Sequence, residues 1–150
     1  LAVDSFSNST GDYDVEISVV NTGPGEPDDE PTQGAPLALD TAVASVMDLP
    51  GDVDFFTFTP TTTANYAIGT SQPATSTDNV DTVLFVCDVD EPCDGAFLGA
   101  NIARNDDGGP GLYSLISPVE LTAGVTYYVG VYAPYSNDTG DYEVLITQTP

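Results

Sequence analysis

Short apolar and alternating runs dominate the chain. Val53-Asp-Phe-Phe-Thr-Phe-Thr59, Asn65 to Thr70, Val80 to Cys87, Ala96 to Ala103, Tyr113 to Leu121, Thr126 to Tyr132 and Tyr142 to Thr147 are rich in β-branched and aromatic residues. Such residues suit a pleated, half-buried surface. Turn formers separate the runs: Pro60, Ser71-Gln-Pro73, Asp107-Gly-Gly-Pro110, Ala123-Gly124 and Asn137-Asp-Thr-Gly140. About seven short strands with frequent turns and little helical periodicity predict an all-β chain, folded as an antiparallel β-sandwich. Leu37 to Met47 fits either a short helical turn or an edge strand.

A repeat changes the domain reading. Phe6-Ser-Asn-Ser-Thr-Gly-Asp-Tyr-Asp-Val-Glu-Ile17 aligns without a gap to Tyr135-Ser-Asn-Asp-Thr-Gly-Asp-Tyr-Glu-Val-Leu-Ile146. Ser, Asn, Thr, Gly, Asp, Tyr, Val and Ile recur in register, and the Phe/Tyr and Asp/Glu differences are conservative. Residues 1–20 are therefore expected to be the C-terminal strand of a preceding repeat, or a donated strand. Residues 21–34, rich in Gly, Pro, Asp and Glu, cannot bury apolar surface and read as an acidic linker. Residues 35–150 then form one complete sandwich, large enough to fold without metal or disulfide. No apolar run approaches the ~20 residues of a membrane-spanning helix. Leu1 to Thr10 lacks a basic leader, so the expectation is a mature chain or a segment of something longer.

Charge narrows the function. Twenty-four acidic residues face a single cationic side chain, Arg104, and there is no histidine, for a formal net charge of -23. Nucleic acid needs Lys and Arg to displace phosphate counterions, and an anionic membrane surface would repel this chain. Without histidine there is no Ser-His-Asp triad, Cys-His pair or imidazole base, and two cysteines alone make zinc a poor fit. A hard, oxygen-seeking cation is the partner that remains. Acidity for its own sake, as in a halophilic or generally acidic secreted protein, accounts for much of the charge but not for its clustering at loop ends. Cys87 and Cys93, five residues apart, are either free thiols or a disulfide across a tight loop. The composition favours the disulfide and an extracellular or cell-surface setting.

Several stretches resemble a known family. Glu26-Pro-Asp-Asp29 and Gly51-Asp-Val-Asp-Phe-Phe-Thr-Phe58 look like the opening of bacterial pre-peptidase C-terminal domains. Asp81-Thr-Val-Leu84, Asn105-Asp-Asp107, Tyr127-Tyr-Val-Gly-Val131 and Thr139-Gly-Asp-Tyr142 match later landmarks in order. The resemblance covers about Glu26 to Thr147. It implies a calcium-binding, jelly-roll-like sandwich similar to the collagen-binding domains of clostridial collagenases: secreted, non-catalytic and often appended to peptidases.

Two acidic groups carry the calcium expectation, since calcium takes six to eight oxygens from flexible loops. The resemblance places the first on Glu26, Asp28 and Asp29 of the linker with Asp52 and Asp54 at the start of a strand; Asp28 stands where the family usually has Asn. The second is Asp81, Asp88, Asn105, Asp106 and Asp107, with Asp90 or Asp94 as further candidates. Asn-Asp-Asp-Gly-Gly also makes a good turn without metal. Asp88-Val-Asp-Glu-Pro-Cys-Asp-Gly95 has the wrong spacing for an EF-hand loop. Asp138-Thr-Gly140 spells the aspartic-peptidase triplet, but its counterpart is Ser9-Thr-Gly11, so a turn is the better reading. No tryptophan is available to stack a sugar for paired-carboxylate glycosidase chemistry. No catalytic residues are therefore expected. Asn8 and Asn137 fit the N-glycosylation pattern at equivalent positions.

Two functions follow. The first is a calcium-binding structural repeat that builds a fibre, stalk or adhesin by tandem repetition or strand donation, with copies of the same domain as partners. The second is an accessory domain that holds a secreted peptidase or other hydrolase on an extracellular polymer. For the second, Tyr113, Tyr128, Tyr132 and Tyr135 are candidates for an aromatic binding face.

Overall fold

A computed structural model describes residues 31–49, 51–89, 93, 101–135 and 138–150. Among these residues, nine strands make two facing sheets: β1 (Ala35–Pro36), β2 (Val43–Met47), β3 (Val53–Phe58), β4 (Ala64–Ser71), β5 (Val83–Asp88), β6 (Asn101–Asp106), β7 (Leu115–Leu121), β8 (Tyr127–Tyr132) and β9 (Gly140–Gln148). The first sheet runs β1-β3-β8-β5-β6 and the second β2-β9-β4-β7. Every pairing is antiparallel except the short parallel contact of β1 with β3. The chain is thus the expected antiparallel sandwich.

Alternation sets the second sheet. Tyr66 and Ile68 of β4, Ile116, Val119 and Leu121 of β7, and Tyr142, Val144 and Ile146 of β9 are buried in the main core. The intervening Leu115 and Leu145 are exposed. The first sheet differs because β3, β5 and β8 are apolar on both faces. Phe56, Phe58, Leu84, Val86, Val129 and Val131 face the main core, whereas Phe55, Val83, Phe85, Cys87 and Tyr132 form a second cluster. A Cβ on Gly130 would sit 2.0 Å from Cζ of Phe85, so that ring lies directly over bare backbone. Cys87 and Cys93 are joined in the expected disulfide.

Of the two alternatives for Leu37 to Met47, the edge strand forms: β2 pairs with β9. The predicted run Val80 to Cys87 enters its strand only at Val83, and Tyr113 to Leu121 only at Leu115. The residues ahead of each strand bond to one another instead, with Thr82 N donating to Leu112 O at 3.0 Å. At the end of the expected linker, Pro31–Gln33 makes one 3-10 turn. Gly34 then passes so close to β3 that a Cβ would lie 2.9 Å from the Phe55 carbonyl carbon.

Candidate metal centre

Three of the predicted ligands, Asp52, Asp54 and Asp81, are buried aspartates with different surroundings. Asp54, on β3, points between the sheets on the same face as Phe56 and Phe58 and is 1% exposed. Its Oδ2 accepts from Ser45 Oγ at 3.1 Å and from the hydroxyl of Tyr142. The Asp-x-Asp strand and the Gly-Asp-Tyr strand therefore meet through one carboxylate and one phenol, linking the two sheets. Nearby, Asp52 accepts from the backbone N–H of Asp48 at 3.4 Å and closes the β2–β3 connection. Glu26, Asp28 and Asp29, the linker members of the first group, lie outside the described residues, as do Asp90, Asp94, Asn8 and Asn137.

The second group is partly assembled. One carboxylate oxygen each from Asp81, Asp106 and Asp107 lie within 4.8 Å of one another. That is the span of two oxygens on opposite sides of an ion at about 2.4 Å, the calcium–oxygen distance. Asp81 is buried, Asp106 and Asp107 exposed. Asp81 Oδ1 is buried without a hydrogen-bond partner. Burial, then the charges of Asp107, Asp106 and Asp138, push the Asp81 carboxyl above its ordinary value. A buried carboxylate oxygen normally takes a donor. Here the carboxylates grouped with it are acceptors of the same sign, a combination that a bound cation would relieve.

A buried hydroxyl network holds this cluster in place. Thr70 Oγ1 and Thr82 Oγ1 are 2.6 Å apart, and Ser114 N donates to Thr70 Oγ1 at 2.8 Å. The Ser114 hydroxyl shares its proton between the carbonyls of Thr82 and Asn105, 3.1 Å from the latter. Residues 82 and 105, neighbours of Asp81 and Asp106, are thereby buckled together. Asp107 follows in a left-handed turn at φ 60°, a conformation that Asp tolerates. None of these hydroxyls was among the expected site residues. No spacing along the chain marks them, because their partners lie on other strands.

Asn105 and Asp88 are placed elsewhere. Asn105 Oδ1 accepts from Gly108 N at 2.8 Å and Leu115 N at 2.9 Å, fastening the turn into β7. Asp88 ends β5, opposite Tyr127 in β8, seven residues and about 20 Å of extended strand from Asp81. The proposed aromatic face is also not displayed, because Tyr113 and Tyr132 are buried and Tyr128 is partly so, leaving Tyr135 exposed. Arg104 donates to the Tyr132 hydroxyl at 2.9 Å.

Two sheets and an inter-sheet carboxylate–phenol link define the class: a β-sandwich domain, with a cluster of three carboxylates among its described residues. In fold, the chain is similar to the pre-peptidase C-terminal domain of collagenase from Bacillus anthracis, with 19% identity, a TM-score of 0.54, and coverage of 81% of this chain and 97% of that one. The likeness expected from the motifs is therefore present in the fold. A second solved structure, PliG from Aeromonas hydrophila, a periplasmic inhibitor of g-type lysozyme, has 14% identity and a TM-score of 0.48 over 75% of this chain and 95% of that one. No family model matches the sequence, and no curated protein matches it.

Proposed function

We propose that this chain is a non-catalytic, calcium-binding β-sandwich repeat of a secreted or cell-surface protein, building an extracellular fibre, stalk or adhesin with other copies of the same domain. The observation that carries the reading is where the repeat falls. Residues 6–17 match Tyr135 to Ile146, and the second copy includes most of β9, the strand between β2 and β4. The buried positions Tyr142, Val144 and Ile146 recur unchanged as Tyr13, Val15 and Ile17. A segment that preserves the whole buried face of an inner strand is suited to fill the same slot in another sandwich. It does so either in a tandem neighbour or by donation to a separate copy.

Calcium is the ion that suits the Asp81, Asp106 and Asp107 cluster. Its ligands are carboxylates on loops, irregular and partly solvated, which fits a flexible calcium shell better than the strict octahedron of magnesium. The disulfide supports an oxidising compartment, and the fold likeness to a collagenase domain supports a place outside the cytosol. That same likeness favours the second reading, an accessory substrate-binding domain of a secreted hydrolase. The burial of Tyr113 and Tyr132 weighs against it.

The test is size-exclusion chromatography with light scattering, in millimolar calcium and then in excess chelator. The expected result is high-mass, elongated species in calcium that dissociate on chelation. A compact monomer in both conditions would eliminate non-covalent assembly and leave the covalent tandem form or the substrate-binding accessory domain.

A further inference from the structure

We propose that Asp138 is a further ligand of the ion held by Asp81, Asp106 and Asp107, so that one calcium ties three loops together and sets this module apart from its repeat. The inference rests on the calcium reading above and extends it. Asp81 leads into β5, Asp106 and Asp107 leave β6, and Asp138 lies on the β8–β9 connection. That connection is fastened to the residues ahead of Asp81. Asp141 N donates to Asp78 Oδ2 at 3.3 Å. A Cβ on Gly140 would lie 2.9 Å from both Asp78 Cβ and Val80 Cγ2, so the bare backbone, at φ 146°, is pressed against residues 78 and 80. Two residues upstream, Asp138 N donates to Tyr135 O at 3.1 Å. These contacts at the start of β9 bring Asp138 toward the segment that delivers Asp81.

Three further observations point the same way. Asp81 is only 9% exposed, its Oδ1 has no hydrogen-bond partner, and its carboxylate belongs to the acidic cluster. The charge of Asp138 is felt at Asp81, where it helps raise the carboxyl above its ordinary value. The ion also needs more oxygens than three monodentate carboxylates supply, since calcium takes six to eight. Across Ser136 to Tyr142 the two copies differ at one position, where Ser9 stands in place of Asp138. The N-terminal copy keeps the other residues of this segment but carries a neutral hydroxyl where Asp138 carries a charge.

The experiment is calorimetric titration of calcium chloride into the full chain, stripped with chelator, for wild type, D138N, D138S and D81N. D81N should abolish the heat belonging to this site, which also separates it from calcium bound elsewhere on the chain. D138N and D138S should weaken the same binding ten-fold or more while leaving the chelator melting temperature unchanged or raised. D138S also guards against misfolding, because the repeat itself carries Ser there. Affinity within two-fold of wild type in both Asp138 variants, with D81N still abolishing binding, would overturn the role of Asp138 and leave the three-carboxylate site standing. No wild-type binding that D81N removes would instead overturn the calcium reading beneath it.

Discussion

Two buried aspartates, Asp54 on β3 and Asp81 just ahead of β5, are solved differently. Asp54 lies between the sheets and takes hydrogen bonds from Ser45 and Tyr142. Asp81 stands at the sandwich rim with one oxygen unpartnered and two carboxylates within ligand distance of each other and of itself. A buried carboxylate is costly unless donors or a cation compensate it. At Asp54 the protein supplies the donors, so that residue belongs to the scaffold. At Asp81 the protein supplies more negative charge, an arrangement suited to an ion from solution. Burial alone does not separate structure from site; the sign of the neighbours does.

Calcium removal tests that contrast most severely. At free calcium about 100-fold above Kd, binding stabilises the fold by about 2.7 kcal/mol, so chelation should lower the wild-type Tm by roughly 10 °C. D81N should lose most of that response. Equal responses in wild type and D81N, measured by calorimetric melting, would place any calcium elsewhere and collapse the distinction.

Tyr142→Phe probes the other aspartate. It removes a donor from a buried carboxylate and should destabilise the chain by about 2 kcal/mol. Urea unfolding should give the same loss in calcium and in chelator. A loss confined to calcium would make Asp54 part of a metal site and revive the grouping with Glu26, Asp28 and Asp29. A smaller effect is expected at Asn105→Ala, which strips the acceptor from Gly108 N and Leu115 N. It should cost about 1 kcal/mol or slightly more in chelator and weaken calcium binding by loosening the turn that carries Asp107. Unchanged affinity together with lost stability would make that turn irrelevant to the site.

The strands were legible because β-branched and aromatic runs bounded by Pro, Gly and Asn report local preference. Asp81, Asp106 and Asp107 were legible as a group because a strand start and a turn both carried acids where an ordinary hairpin needs none. What was not legible was non-local. Asn105 and Asp106 are adjacent in sequence, but Asn105 turns to two backbone amides while Asp106 joins the cluster. Asp88 was grouped with Asp81, yet the length of β5 separates them. Thr70, Thr82 and Ser114 hold the site together through pairings across strands, which no window along the chain contains. Nor did apolar runs tell which of Phe55 and Phe56 enters the main core, since strands buried on both faces lose the alternation that marks their faces.

The smallest expected effect is also the one with the most diagnostic sign. Asp81 in the folded, metal-free chain holds its proton to higher pH than its ordinary value of 3.8. Between that value and the raised one, the folded state binds more protons than the unfolded state, so stability falls as pH rises. The contribution is complete below the ordinary value and lost as pH climbs through the folded value. Repulsion within the acidic surface acts in the same direction, so the wild-type curve alone does not isolate Asp81. The difference between wild type and D81N in chelator does, because the surface is nearly common to both. D81N should gain on wild type as pH rises through this window and keep the advantage at neutrality. With calcium present the order should reverse, since the ion requires the deprotonated carboxylate and its stabilisation grows over the same window. A flat difference in chelator would mean that Asp81 titrates as a solvated acid, and the contrast with Asp54 would then lie in hydrogen bonding alone.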